Sequence, residues 1–122
     1  MALNARGVES TRVPYVPISV RANHSAHELG VEALVDTGYT GFVVVPQGSF
    51  PNDAAPRHRL RLQLADGSTV LAPAYRGVLR IGAYTLTDIA ITDLGDETII
   101  GMQVVGHFTL TIDHARRLTL EP

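Results

Sequence analysis

The sequence predicts an all-β domain, a closed barrel of short strands with one short helix near the C-terminus. Three features carry that prediction. The 122 residues break into about ten short apolar or alternating runs, each bounded by turn residues. The 11 Gly and 7 Pro favour many turns over long helices. Asp66-Gly67 and Gly82-Ala83 each sit between two strand-like runs, as hairpin turns do.

The elements follow in order. Residues 1–12 are polar and expected to be loose. Residues 13–20 read as an extended edge strand, because Pro14 and Pro17 lack an amide hydrogen. Residues 21–29 form a polar loop. Residues 30–35 form a strand with Val31, Ala33 and Val35 on one face and Glu32 and Leu34 on the other. The loop Asp36-Thr37-Gly38-Tyr39-Thr40-Gly41 follows, then a buried strand over 42–45 that Pro46 stops. Residues 47–56 are irregular. From 57 to 64 the chain alternates, Arg57, Arg59, Arg61 and Gln63 against His58, Leu60, Leu62 and Leu64. Ala65-Asp66-Gly67-Ser68 turns it, and residues 69–74 return. Further strands are expected at 75–81, 84–92 and 98–100, a short helix at 102–107, and a last hairpin from 108–112 and 117–120.

Composition narrows the function classes. One domain spanning residues 1–122 is the natural reading of this length. A net charge of −2 gives no pull on a polyanion, so nucleic acid is not the expected partner. The absence of cysteine removes disulfides, thiolate nucleophiles and cysteine-based metal sites. Apolar runs such as Phe42-Val43-Val44-Val45 are far shorter than a membrane span, and Met1-Ala2-Leu3-Asn4-Ala5-Arg6 lacks a signal-peptide core. A soluble, cytoplasmic protein is expected.

The chemistry-bearing stretch is Ala33-Leu34-Val35-Asp36-Thr37-Gly38-Tyr39-Thr40-Gly41-Phe42. An apolar strand delivers a carboxylate into a turn of small and hydroxylated residues, and a second apolar strand leaves. Such a carboxylate must be held by amides or hydroxyls; Thr37 offers a hydroxyl, and Gly38 lets a second backbone come close. Further on, Thr98-Ile99-Ile100-Gly101 closes a short strand just before the expected helix.

Val35-Asp36-Thr37-Gly38, the Asp66-Gly67 hairpin and Ile99-Ile100-Gly101, in that order, resemble the retropepsin-like aspartic peptidases. The likeness runs over about residues 13–120 and is closest to the small bacterial members. It implies a homodimer, since this chain holds one Asp-Thr-Gly and two must meet at a twofold axis. It implies that Asp36 and its mate share one proton and activate a water against a peptide bond, with no metal or organic cofactor. It assigns Thr37 to locking the two loops, Gly38 to backbone contact with substrate, and Ile99, Ile100 and Gly101 to support beneath the loop. Ala65, Asp66, Gly67 and Ser68 would form the tip of a flap over an extended peptide or protein substrate. Gln103 stands where bacterial relatives carry an acid, and Tyr39 where viral ones carry a small residue.

The remaining polar residues read more plainly. Asp53, Asp88, Asp93, Asp96 and Asp113 are expected to be solvated. His24 and His27 share a polar loop without a third ligand, so no metal site is assigned. Two competing functions keep the Asp36 motif but drop the chemistry: an inactive dimeric peptide-binding or scaffolding module, and an unrelated β-barrel binding domain.

Overall fold

The computed structural model describes residues 8–10, 12–50 and 58–122, with His58 described by its backbone alone. Among these described residues ten strands and one helical turn follow in order: β1 Val8–Glu9, β2 Tyr15–Ala22, β3 Leu29–Val35, β4 Val43–Val45, β5 His58–Gln63, β6 Thr69–Ile81, β7 Tyr84–Asp93, β8 Ile99–Ile100, α1 Met102–Val105, β9 Thr109–Asp113 and β10 Arg117–Glu121. Seven strands pair in the order β2-β3-β8-β4-β7-β6-β5, and an added β2–β6 pairing closes the first six into a barrel. A second sheet, β1-β10-β9, stands beside it. Among the described residues no helix is long and apolar enough to cross a membrane.

The registers explain how the motif residues meet. β3 and β8 are parallel, with Leu34 opposite Ile99 and Val35 opposite Ile100. Asp36 and Gly101, which follow those strands, therefore leave the sheet at the same end. β4 is antiparallel to β8 and pairs Val43 with Ile100. Phe42, just before β4, thus reaches that end too.

Several elements differ from the sequence reading. Residues 69–81 form one 13-residue strand, not two. Its first half pairs β5 and its second half pairs β2, so the partner changes without a break in the backbone. At the change, a side chain on Gly77 would collide with the Arg21 carbonyl, and a bulge between Gly77 and Leu79 is accommodated opposite Asp88, whose φ is +53°. Residues 8–9, inside the stretch expected to be loose, form β1, and Val8 packs into the core. β2 is not wholly an edge strand: Ser19 and Val20 pair with both β3 and β6. Pro17 pairs with Glu32 of β3, outside the two-sided stretch. Asp93, expected to be solvated, is buried, and its Oδ2 accepts the Gly48 amide at 3.2 Å. The irregular reading of residues 47–56 falls largely outside the described residues.

One apolar cluster fills the barrel. Alternate residues of β2 (Val16, Ile18, Val20, Ala22) meet Val43 and Val45 of β4, Leu79 and Ile81 of β6, and Ile89 and Ile91 of β7. Leu118 and Leu120 of β10 extend it under the second sheet. Each fully buried aliphatic side chain contributes on the order of 1.5–3 kcal/mol through apolar area removed from water. Leu79→Ala is expected to lower unfolding stability by about 2–5 kcal/mol. Ile112→Ala, at a residue 54% exposed on β9, is expected to stay within about 0.5 kcal/mol. Urea titrations of the two variants measure the contrast.

Candidate active site

Asp36 follows β3, and five backbone hydrogen bonds fix its surroundings. The Leu34 amide donates to the Thr98 carbonyl at 2.8 Å and the Asp36 amide to Ile100 at 3.0 Å. From the other side, the amides of Gly101, Met102 and Gln103 donate to the carbonyls of Phe42 (2.9 Å), Tyr39 (2.8 Å) and Gly41 (3.1 Å). These last three donors lie at the N-cap and first two positions of α1. A helix start leaves such amides without intrahelical partners, and here the Asp36 loop supplies the acceptors. α1 is four residues long, too short to persist alone. It is held by this docking and by buried Val104 and Val105.

Within the loop, Asp36 Oδ1 accepts the Gly38 amide at 2.9 Å, and the Tyr39 amide donates to the Asp36 carbonyl at 3.2 Å. The carboxylate is thus oriented by its own turn. Asp36 is half-buried, while Thr37 and Gly38 at the apex are exposed. Ile100 and Gly101 are buried behind the loop, and Ile99 faces the opening beside it.

That opening is a cleft of about 570 Å³. It is lined by Asp36 and Tyr39, by Leu62 to Ala65 of the β5–β6 hairpin, by Leu94 to Glu97, and by Val44 and Ile99. The Tyr15 hydroxyl donates to Glu97, and the Arg12 guanidinium lies 3.9 Å from the centre of the Tyr15 ring. That hydrogen bond to the acid pushes the Tyr15 phenol up from its ordinary range. It also ties the 94–97 segment to β2.

The hairpin tip has three loop residues. The Leu64 amide donates to Ser68 at 2.8 Å and the Gly67 amide to Leu64 at 3.0 Å, with Gly67 at φ +88°. This is the longer hairpin turn with glycine in the left-handed position, rather than a two-residue turn. Asp66 Oδ1 accepts both the Ser68 hydroxyl (2.6 Å) and the Ser68 amide (2.9 Å), which hold its carboxyl below the ordinary range.

The structure therefore gathers Asp36, Thr37, Gly38, Ile99, Ile100 and Gly101 at one end of the barrel. Ala65 reaches the cleft beside Asp36, whereas Asp66, Gly67 and Ser68 form the exposed turn beyond it. Val44, Leu62, Leu94, Asp96 and Glu97 also line the opening and carried no sequence signal as a group, because they come from separate elements.

Two outcomes are expected. A methyl group at Gly101 would lie 2.5 Å from the Gly41 carbonyl oxygen and 2.7 Å from that of Tyr39. Gly101→Ala should cost about 1–3 kcal/mol in chemical denaturation by forcing the helix start off the loop. An NMR titration should show the Asp66 carboxyl losing its proton below the usual aspartate range, and Ser68→Ala should move the midpoint upward.

No protein-family profile matches the chain. An uncharacterised protein of Archaeoglobus fulgidus is 31% identical over 93 residues, covering 71% of this chain and 73% of that protein. Among solved structures, a retropepsin-like aspartic protease from Rickettsia conorii aligns with a TM-score of 0.56 at 18% identity, over 93% of this chain and 88% of that one. A foamy viral protease-reverse transcriptase, solved with an RNA/DNA hybrid, aligns with a TM-score of 0.55 at 15% identity. That match covers 79% of this chain and 12% of the viral one. The chain thus belongs to one family with the Archaeoglobus protein, and its fold is that of the retropepsin-like aspartic proteases.

Proposed function

We propose that the protein is a homodimeric aspartic endopeptidase in which two Asp36 carboxylates, one from each copy, activate a water against a peptide bond. One observation carries the reading. Asp36, partly exposed, lines an apolar cleft together with residues of the β5–β6 hairpin, and its loop is pinned by backbone bonds. The Rickettsia neighbour, an aspartic protease, supports the same reading through its fold.

A hydrolase of this kind needs a base for the water and an acid for the carbonyl oxygen, and one carboxylate does not serve as both at once. A second copy supplies the other group without further sequence. The loop apex suits that role: Thr37, Gly38 and Thr40 are exposed, and Met102 beside them is 42% exposed. In the dimer the two acids share a proton, a property known of aspartic-protease dyads as a class. The ionised carboxylate takes a proton from water, whose oxygen attacks the carbonyl carbon. The protonated carboxyl donates to the carbonyl oxygen. The tetrahedral intermediate then collapses, the carbon–nitrogen bond breaks, and the leaving nitrogen receives the proton. The β5–β6 hairpin acts as the flap, and an extended peptide pairs its backbone with the hairpin and with the loop at Gly38.

Asp36→Asn and Asp36→Ala are each expected to lower kcat/KM for a peptide substrate by at least about a thousandfold. Sedimentation should show that both variants remain dimers. Wild-type activity per chain should fall when the protein is diluted below its dimer dissociation constant. Cleavage that survives either substitution rules the mechanism out. Peptide binding by a wild-type protein that cleaves nothing reassigns the fold to a binding module.

A further inference from the structure

Tyr39 is the side chain of the active loop that its sequence context leaves unexplained. Its ring turns inward from the loop, not outward into solvent. A methyl group at Gly41 would collide with the Tyr39 hydroxyl and ring, and one at Gly101 would lie 2.5 Å from Tyr39 Cδ2. The two glycines thus form a slot that the ring fills. At the far end of the slot the phenol hydrogen-bonds Thr92, a buried residue of β7. Thr92 sits opposite both Val44 and Ala74 in the sheet, so its hydroxyl is carried by paired backbone on two sides. Tyr39 itself lines the cleft next to Asp36, Val44 and Ile99.

A ring seated between two glycines and tied at its tip does not swing aside when a ligand enters. Its exposed edge is a fixed boundary. Resting on the peptidase reading above, we propose that Tyr39 is the specificity-determining wall of the cleft. It sets how deep a substrate side chain beside the scissile bond reaches. The side chain such a wall favours is aliphatic, laid along Val44, Leu62, Leu94 and Ile99. An aromatic side chain needs the depth that the Tyr39 ring occupies.

The test is a cleavage map. Peptides that differ in one residue flanking the cut are incubated with the wild type, Tyr39→Phe and Tyr39→Leu, and kcat/KM is measured for each by mass spectrometry. Tyr39→Phe keeps the ring and is expected to keep the wild-type order of preference. Tyr39→Leu deepens the cleft and is expected to raise the aromatic-to-aliphatic ratio of kcat/KM by about tenfold or more. A general loss of structure lowers all rates but does not reorder them. An unchanged ratio in Tyr39→Leu overturns the inference, and so does an equal shift in Tyr39→Phe. Tyr39→Met takes the place of Tyr39→Leu if thermal melting shows that the latter is unfolded. Failure of the peptidase reading is seen separately, as wild-type protein without Asp36-dependent cleavage. In that case the same peptides are titrated onto the wild type and Tyr39→Leu by calorimetry, and an identical order of affinities, or no binding at all, overturns the role given to Tyr39.

Discussion

The structure depends on one contact: the start of α1 presses against the Asp36 loop. Three amides at 101–103 need acceptors, and three carbonyls at 39, 41 and 42 need donors. Neither side satisfies itself. The four-residue helix is too short to stand alone, and the loop lies between two strands without a ladder of its own. Each supplies the other's missing partners, and the absence of a side chain at Gly101 is what allows the approach. The backbone of Asp36 is placed by this mutual satisfaction, and the Gly38 amide then orients its carboxylate.

The topology of the barrel brings those two segments to one place. Parallel pairing of β3 with β8 sends Asp36 and Gly101 out at the same end, though they lie 65 positions apart in sequence. Parallel neighbours cannot be joined by a tight turn, so the intervening chain must travel. It travels as β4 to β7, and those strands close the barrel and build the hairpin on the way. The cleft is therefore a product of the crossover. Its walls come from β4, the hairpin and the 94–97 segment because the chain between the two motifs passes through them.

Local signals were legible in the sequence, and long-range ones were not. Asp36-Thr37-Gly38, Ile99-Ile100-Gly101 and the Asp66-Gly67 turn are short patterns whose backbone needs fall on their own residues. Alternation placed β3 and β5, and a short apolar run placed β4. The continuity of β6 was hidden, since its change of partner occurs at Gly77 without any break in the strand. β1 was hidden because a two-residue strand owes its existence to Leu120 and Thr119, more than a hundred residues away. Asp93 reads as a strand-end acid until the Gly48 amide is seen to need it. Tyr39 was legible as a departure from a small residue. Its inward turn was not, because Gly41, Gly101 and Thr92 become neighbours only after the sheet closes.

If the proposed peptidase reading holds, two demands on the site conflict, and they fall to different elements of this fold. Paired carboxylates must stay in register with a reacting bond, which calls for a stiff loop. A polypeptide must enter and leave, which calls for a wall that moves. The Asp36 loop has the stiff environment: backbone bonds to two elements and buried residues behind it. The β5–β6 hairpin has the more open one. Among the described residues β5 pairs with β6 and no further strand, and every residue from Gln63 to Thr69 is exposed. Such a hairpin opens at low free-energy cost because few buried contacts are broken. Its turn is kept in shape by the Asp66–Ser68 bonds, and lower down β6 enters the barrel. On the proposed reading this division also fixes where a second copy belongs. It must meet the stiff face at Thr37 and Gly38, because a partner seated on the moving hairpin would not hold two carboxylates in register.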